Sequence, residues 1–202
     1  MERRAFLAAA GAATASLAGC VDGEETGNNT TTTRTNPTST VTVSFEVPPL
    51  GSNRPVPEQY ACTGENVSPE VALVEIGNEA ESVAVSLHDA DADDALHWSV
   101  WGIGTDLPRL PESLPRDPEV RLSEVTPNEN FDATVFQGRN YRDEVGYYGP
   151  CPPEGERHTY LFTVSALDTT LDLEPGASPD AFREALEGSV VGRASVGTFF
   201  ER

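Results

Sequence analysis

The chain has 202 residues, 38% of them hydrophobic, and 13 basic residues against 33 acidic ones give a formal net charge of −20. Every basic residue is arginine; the sequence contains no lysine. This balance excludes a nucleic-acid surface, which needs a basic footprint, and reads as adaptation to high salt, where the Debye length shrinks to about 3 Å at 1 M and self-repulsion is screened.

Residues 1–20 have the pattern of a processing signal. Arg3-Arg4-Ala5-Phe6-Leu7 resembles a twin-arginine export signal, and Leu17-Ala18-Gly19-Cys20 resembles a lipobox whose cysteine is lipidated after cleavage. The apolar run between them is too short to span a bilayer, which takes about 20 apolar residues. The expectation is a domain exported in the folded state and held by lipid at Cys20 on the extracellular face of the membrane. Residues 21–39, rich in Thr, Asn, Glu and Gly without apolar periodicity, are expected to be a disordered tether. Asn28, Asn29 and Asn66 each begin an Asn-x-Ser/Thr triplet and are candidate glycan acceptors.

The domain is expected over 40–202. Val41, Val43, Phe45 and Val47 share one face of a first strand, and a loop runs from Pro48 to Pro57. A turn-rich connection, Gln59 to Pro69, leads into a short strand over 70–75. Ser82 to His88 alternates again with Val83, Val85 and Leu87 inward, and an acidic corner over 89–94 precedes a strand from about Leu96 to Ile103. Residues 104–133, rich in Pro, Glu and Asp, read as a long run over the surface. The strongest strand is His158 to Leu167, with Tyr160, Phe162, Val164 and Ala166 on one face. A helix starts at the N-cap Ser178 with Pro179 in its first position, carries Phe182, Ala185 and Leu186 as its stripe, and closes at Gly188. The apolar tail from Val190 to Phe200 packs a last element against the sheet. Many short strands and one late helix predict a mainly β protein, an antiparallel sandwich with one or two short C-terminal helices.

Two clusters could carry chemistry. The first is His88-Asp89-Ala90-Asp91-Ala92-Asp93-Asp94 followed by His97-Trp98. The second is the proline-stiffened stretch from Tyr148 through Cys151-Pro152-Pro153 to His158-Thr159-Tyr160, in which His158 and Tyr160 leave the same face of a strand. The acidic run is not an EF-hand loop. Counted from Asp89, the sixth position is Asp94 rather than glycine and the twelfth is Val100 rather than glutamate. His88, Asp89 and His97 lack a recognised zinc spacing, so neither metal nor cofactor is expected. No Gly-x-Ser-x-Gly elbow is present. Once Cys20 is set aside, Cys62 and Cys151 read first as one disulfide in an oxidising compartment, with two free thiols as the alternative.

The ordered set Tyr60-x-Cys62-x-Gly64-Glu65-Asn66-x-Ser68-Pro69, Asp89-x-Asp91-Ala92, His97-Trp98 and Gly149-Pro150-Cys151-Pro152-Pro153-x-Gly155-x-x-His158-x-Tyr160 resembles the phosphatidylethanolamine-binding protein family. The likeness runs from about residue 41 to the end and is greatest to the bacterial and archaeal branch often named Raf-kinase-inhibitor-like. It implies a β-sandwich with a pocket for phosphate or a phosphoryl-ethanolamine headgroup, lined by Asp89, Asp91, His97, Pro152, Pro153, His158 and Tyr160. Imidazole and phenol donors can bond phosphoryl oxygens, and the acids can orient the histidines or accept from an ammonium group. With His158 protonated such a site holds an anion better, so binding is expected to weaken as pH rises through its pKa. The acidic motif departs from the family's Asp-Pro-Asp-Ala-Pro, because Ala90 and Asp93 replace both prolines. The expected partner is a small anionic or zwitterionic ligand. A protein-interaction or protease-inhibitor role is one alternative, and a hydrolase using His97, His158 and an aspartate is another. Kinase inhibition transfers poorly to an exported domain.

Overall fold

The structure is a computed structural model that describes residues 41–129 and 131–202. The export signal, Cys20, the tether, Asn28 and Asn29 lie outside the described residues. In chain order the strands are β1 (Val43–Glu46), β2 (Val71–Ile76), β3 (Ser82–Asp89), β4 (Ala95–Gly104), β5 (Arg109–Leu110), β6 (Glu119–Arg121), β7 (Thr134–Gln137), β8 (Arg157–Leu167) and β9 (Val190–Glu201). The helices are α1 (Leu122–Val125) and α2 (Pro179–Leu186). β1, β2 and β5 form a three-stranded sheet, and six strands form a larger one in the order β6-β7-β4-β3-β8-β9. Every neighbouring pair is antiparallel.

The core follows from period-two alternation. Val83, Val85 and Leu87 of β3, Trp98 and Val100 of β4, and Tyr160, Phe162 and Val164 of β8 share one buried cluster with Val43 and Phe45 of β1 and Val71 of β2. Packing that face against the smaller sheet makes the sandwich. The opposite face of the large sheet is covered in part by α2, whose Phe182 joins Ala84, Leu96, Trp101 and Leu167 in a second cluster. α2 begins as its sequence dictates, with the Ser178 hydroxyl accepting from the Ala181 N–H at 3.3 Å and Pro179 in the first turn.

The stretch 104–133 corrects an expectation. It carries β5, β6 and α1 and buries Leu107, Leu110, Leu114, Val120 and Leu122. Its apolar residues come singly between prolines and acids, so no helical or strand period betrays them. One polar side chain helps to hold it in place. Gln137, fully buried on β7, donates to the carbonyl oxygens of Pro115 at 2.7 Å and Asp117 at 2.9 Å, while its own carbonyl accepts from the Trp98 indole at 2.8 Å. The short helix α1 therefore lies mid-chain, and only α2 belongs to the C-terminal region.

The acidic corner is a tight hairpin turn. The Ala95 N–H donates to the Ala92 carbonyl at 2.9 Å, and the two residues between them, Asp93 and Asp94, have φ of 49° and 55°. Two successive left-handed residues inside a four-residue hydrogen-bonded turn are the type I′ pattern, whose twist matches that of the flanking strands. Proline locks φ near −65°, so a proline at position 93 is incompatible with this turn. At position 93 the departure from the family's acidic motif thus has a backbone reason. Left-handed φ at a residue other than glycine costs about 1 kcal/mol. Accordingly, Asp93→Gly should raise stability by about 0.5–1 kcal/mol, whereas Asp93→Pro should lower it by about 3 kcal/mol or more. Urea unfolding of both variants checks this; a neutral proline variant would show that the turn is not of this type.

Candidate functional site

Three side chains meet at one end of the sandwich. Asp89 ends β3 on the same face as Val85 and Leu87, and it is 3% exposed. It lies opposite Tyr160 of β8, and His158 is two residues before Tyr160 on that strand's inner face. His97 arrives differently. Leu87 faces Trp98 and His88 faces Leu96, so His97 is the extra residue of a β-bulge between β3 and β4. A bulge bends the strand and re-aims a side chain. Here it brings His97, 2% exposed, to an edge-on contact with Tyr160 at 5.3 Å between ring centres.

The two histidines differ electrically. The Nδ1–H of His97 points at the carbonyl oxygens of Tyr148, at 2.9 Å, and Gly149, at 3.2 Å. The neutral ring therefore carries its lone pair at Nε2. Burial pushes its pKa below the usual histidine range. His158 sits between two carboxylates, with Nδ1 2.8 Å from Asp89 Oδ2 and Nε2 3.2 Å from Glu156 Oε2. The hydrogen bond to Asp89 raises its pKa, and the bond to Glu156 adds to that. The protonated form of His158 is thus favoured by a buried carboxylate behind it and an exposed one in front.

The remaining expected residues have defined places. Asp91 is exposed, and its Oδ2 accepts from the Thr159 N–H at 2.6 Å, which lowers its pKa. Its own N–H donates to Asp89 Oδ1 at 3.0 Å, so the acidic corner is latched to the start of β8. The Tyr160 hydroxyl oxygen accepts from the Cys151 N–H at 3.2 Å; burial, then the neighbouring Asp89, push its pKa far up, so the phenol stays protonated. Pro152 is buried and Pro153 exposed.

Cys62 and Cys151 form a disulfide, with Cα atoms 5.4 Å apart. The free-thiol alternative is set aside. The bond joins residues 89 apart in sequence, and chain-entropy reasoning values such a closure at about 4–5 kcal/mol. Beside it, the Asn66 side-chain carbonyl accepts from the Gly149 N–H at 2.7 Å. Gly149 runs so close to the preceding loop that a Cβ there would fall 2.1 Å from the Tyr60 carbonyl oxygen. The loop over 59–69 and the proline wall are therefore one unit.

Sequence reasoning named Tyr148 but missed Tyr141 and Arg142 of the outer wall. Tyr141 lies 4.6 Å from the His97 ring and Tyr148 6.2 Å from it, while the Arg142 guanidinium stacks over Tyr148 at 4.8 Å. The buried Asn140 holds this loop. Its amide donates to the Gly146 carbonyl at 3.1 Å, and its carbonyl accepts from the Arg142 N–H at 2.9 Å. The Tyr141 and Tyr148 N–H groups pair with the carbonyls of Leu96 and His97, on either side of the bulge. The available signal was weak: Asn140-Tyr141-Arg142 followed, after a short acidic turn, by Tyr147-Tyr148. Among the described residues, no group of three or more His, Cys, Asp or Glu side chains has the geometry to hold a metal ion.

Comparison with known proteins bears on the family and the fold. Residues 47–201 match the family model described as phosphatidylethanolamine-binding protein. A UPF0098 protein of Methanothermobacter thermautotrophicus is 40% identical over 149 residues, covering 73% of this chain and 91% of that one. A UPF0098 protein of Pyrococcus horikoshii is 34% identical over 156 residues, covering 76% and 74% respectively. Among solved structures, a phosphatidylethanolamine-binding protein homologue from Chlamydia trachomatis superposes with a TM-score of 0.65 at 26% identity, covering 79% of this chain and 97% of that one. YbcL of E. coli superposes with a TM-score of 0.68 at 23% identity, covering 79% and 98%, and shares the fold.

The opposite environments of the two rings have a measurable consequence. Imidazole resonances should titrate with a midpoint above about 6.5 for His158 and below it for His97. The stabilisation from His158 is then complete below about pH 6.5 and is lost as pH rises through its raised pKa, whereas His97 costs stability as pH falls below about 6.5. NMR titration checks both; coincident midpoints would contradict the pairing described.

Proposed function

We propose that this chain, which belongs to the phosphatidylethanolamine-binding protein family, binds a small phosphoryl-type anion or zwitterionic headgroup at His97 and His158. The observation that carries the proposal is the Glu156 carboxylate against His158 Nε2, at 3.2 Å on a side chain that is 56% exposed. The imidazolium already holds an anion on its solvent side, and that anion is free to leave. An incoming phosphoryl oxygen would take the place of Glu156 and accept from His158 Nε2–H. A P–OH or ammonium N–H would donate to the His97 lone pair. Arg142, Tyr141 and Tyr148 would meet the remainder of the ligand at the mouth. Asp89 fixes the charge and orientation of His158 from behind, Tyr160 and Pro152 close the wall, and Asp91 holds the acidic corner against β8.

Inorganic phosphate and phosphoryl-ethanolamine are the probes. Charge-assisted hydrogen bonds contribute about 1.5–3 kcal/mol, so affinity should fall about tenfold or more as pH rises through the His158 pKa, and should fall similarly in His158→Ala with loss of the pH dependence. Glu156→Gln removes the competing carboxylate and should tighten binding about three- to tenfold. Calorimetry that finds unchanged affinity in His158→Ala would exclude this site, and phosphoester turnover lost in His97→Ala would favour a hydrolase.

The proposed setting is the extracellular face of the cell membrane, in concentrated salt. Its support is the Arg3-Arg4 signal, the Leu17-to-Cys20 lipobox and the lysine-free acidic composition. Cys20→Ser should move the protein from the membrane fraction to the medium, and the released domain should unfold at lower temperature as salt is diluted. Retention of Cys20→Ser in membranes would remove the lipid anchor from this account.

A further inference from the structure

The two sulfurs of the Cys62–Cys151 bond have unlike surroundings. Two donors face the Cys151 sulfur, each at 3.7 Å: the Tyr148 hydroxyl and Nη1 of Arg202, the residue that follows β9. Among the described residues no donor faces the Cys62 sulfur. Arg202 is anchored by its backbone, its N–H donating to the Glu156 carbonyl at 3.2 Å and its carbonyl accepting from the Gly155 N–H. Its other contact is weak, Nη2 lying 3.9 Å from a Glu154 carboxylate on a side chain that is 88% exposed.

The bond lies at the surface. Both cysteines are half-buried, and their neighbours Thr63, Gly64 and Glu65 on one loop and Pro153 and Glu154 on the other are exposed. The two loops also have ties that do not involve sulfur. The Cys62 N–H donates to the Pro150 carbonyl at 3.1 Å, the Tyr147 hydroxyl to the Tyr60 carbonyl at 2.8 Å, and the Gly149 N–H to the Asn66 side chain at 2.7 Å. Tyr60 and Tyr147 are themselves held in the core. With the bond broken, these ties would keep the two sulfurs within reach of each other.

We propose that Cys62 and Cys151 are a reversible redox couple that exchanges with small thiols, Cys62 being the sulfur attacked and Cys151 the sulfur released. An incoming thiolate forms a bond to the Cys62 sulfur, the Cys62–Cys151 bond breaks, and its electron pair leaves on Cys151 as a thiolate. A sulfur whose anion is stabilised leaves faster, and that selects the point of attack. Tyr148 and Arg202 supply the stabilisation, through a hydroxyl donor and a charged one. Glu154 opposes it from solvent, while Tyr160, whose hydroxyl accepts from the Cys151 N–H, stays neutral. A second thiolate then attacks the external sulfur of the mixed disulfide and releases Cys62. Two external thiols are thereby oxidised to one disulfide as the two cysteines are reduced, and the reverse steps reduce an external disulfide. The exchange does not depend on what His97 and His158 hold.

The test uses the full chain with 2-mercaptoethanol as the thiol and hydroxyethyl disulfide as the oxidant. Millimolar thiol should reduce the bond while circular dichroism shows the domain still folded, and the oxidant should restore it. Acid quenching early in the reduction, followed by digestion and mass spectrometry, should find the mixed disulfide on Cys62. In Cys62→Ser, alkylation of Cys151 should have its midpoint below the usual thiol value of about 8.5. Arg202→Gln should move that midpoint up and slow reduction of the bond about three- to tenfold. Thermal unfolding confirms that each variant is folded. A bond that resists reduction until the domain unfolds, a mixed disulfide found on Cys151, or a folded Arg202→Gln reduced as fast as the parent would each overturn the proposal.

Discussion

A carboxylate buried at the end of a strand must be met by hydrogen bonds and opposite charge, and Asp89 imposes that requirement on everything around it. Desolvating an unpaired ion costs several kcal/mol even after relaxation. Asp89 accepts from the Asp91 N–H and from His158, and it lies beside the Tyr160 hydroxyl. Satisfying it therefore dictates the conformation of the acidic corner, the protonation of His158 and the way β8 begins. The site is not placed on a finished sandwich. It is the solution to a charge problem that the sandwich creates at its own edge.

The rest of the site is built from irregular backbone held to that edge. The bulge at His97 breaks the β3–β4 register, and the Tyr141 and Tyr148 N–H groups take up the carbonyls on either side of it. The Cys62–Cys151 bond and the Asn66–Gly149 contact fasten the opposite wall. Each loop also sinks an aromatic anchor into the core, Tyr60 in one and Tyr147 in the other, so polar and covalent ties add to apolar burial in fixing its position. Rigid loops of this kind present functional side chains without having to be ordered by the ligand.

Much of this was legible in the chain. Alternation located β1, β3 and β8, because their large apolar residues line one face and leave a period of two in the sequence, whereas β4, buried on both faces, shows no such period. Ser178, Pro179 and Gly188 marked α2 through the chemistry of its ends. His158 and Tyr160 could be paired because they are two apart on one strand. The bulge could not be read, since Leu96, His97 and Trp98 give no local sign that one of them is left over. Arg142 and Glu156 escaped for a related reason: exposed charges in an acidic chain have no pattern, and only the folded loops bring them to the histidines. The interior of 104–133 was hidden because isolated leucines between prolines resemble a surface.

Glu156 has one more effect on whatever enters the pocket. A carboxylate carried two residues from the histidine it contacts acts as a competitor at an effective concentration that dilution cannot lower, on the order of millimolar or above for so short a connection. A free anion must exceed that internal rival before it occupies the imidazolium. A simple monovalent ion that offers no more than a carboxylate does would displace Glu156 only above that concentration. A ligand that also reaches His97 and Arg142 adds contacts that Glu156 cannot match. On the proposed function, the tethered side chain would work as a filter, favouring ligands by the number of groups they engage rather than by charge alone.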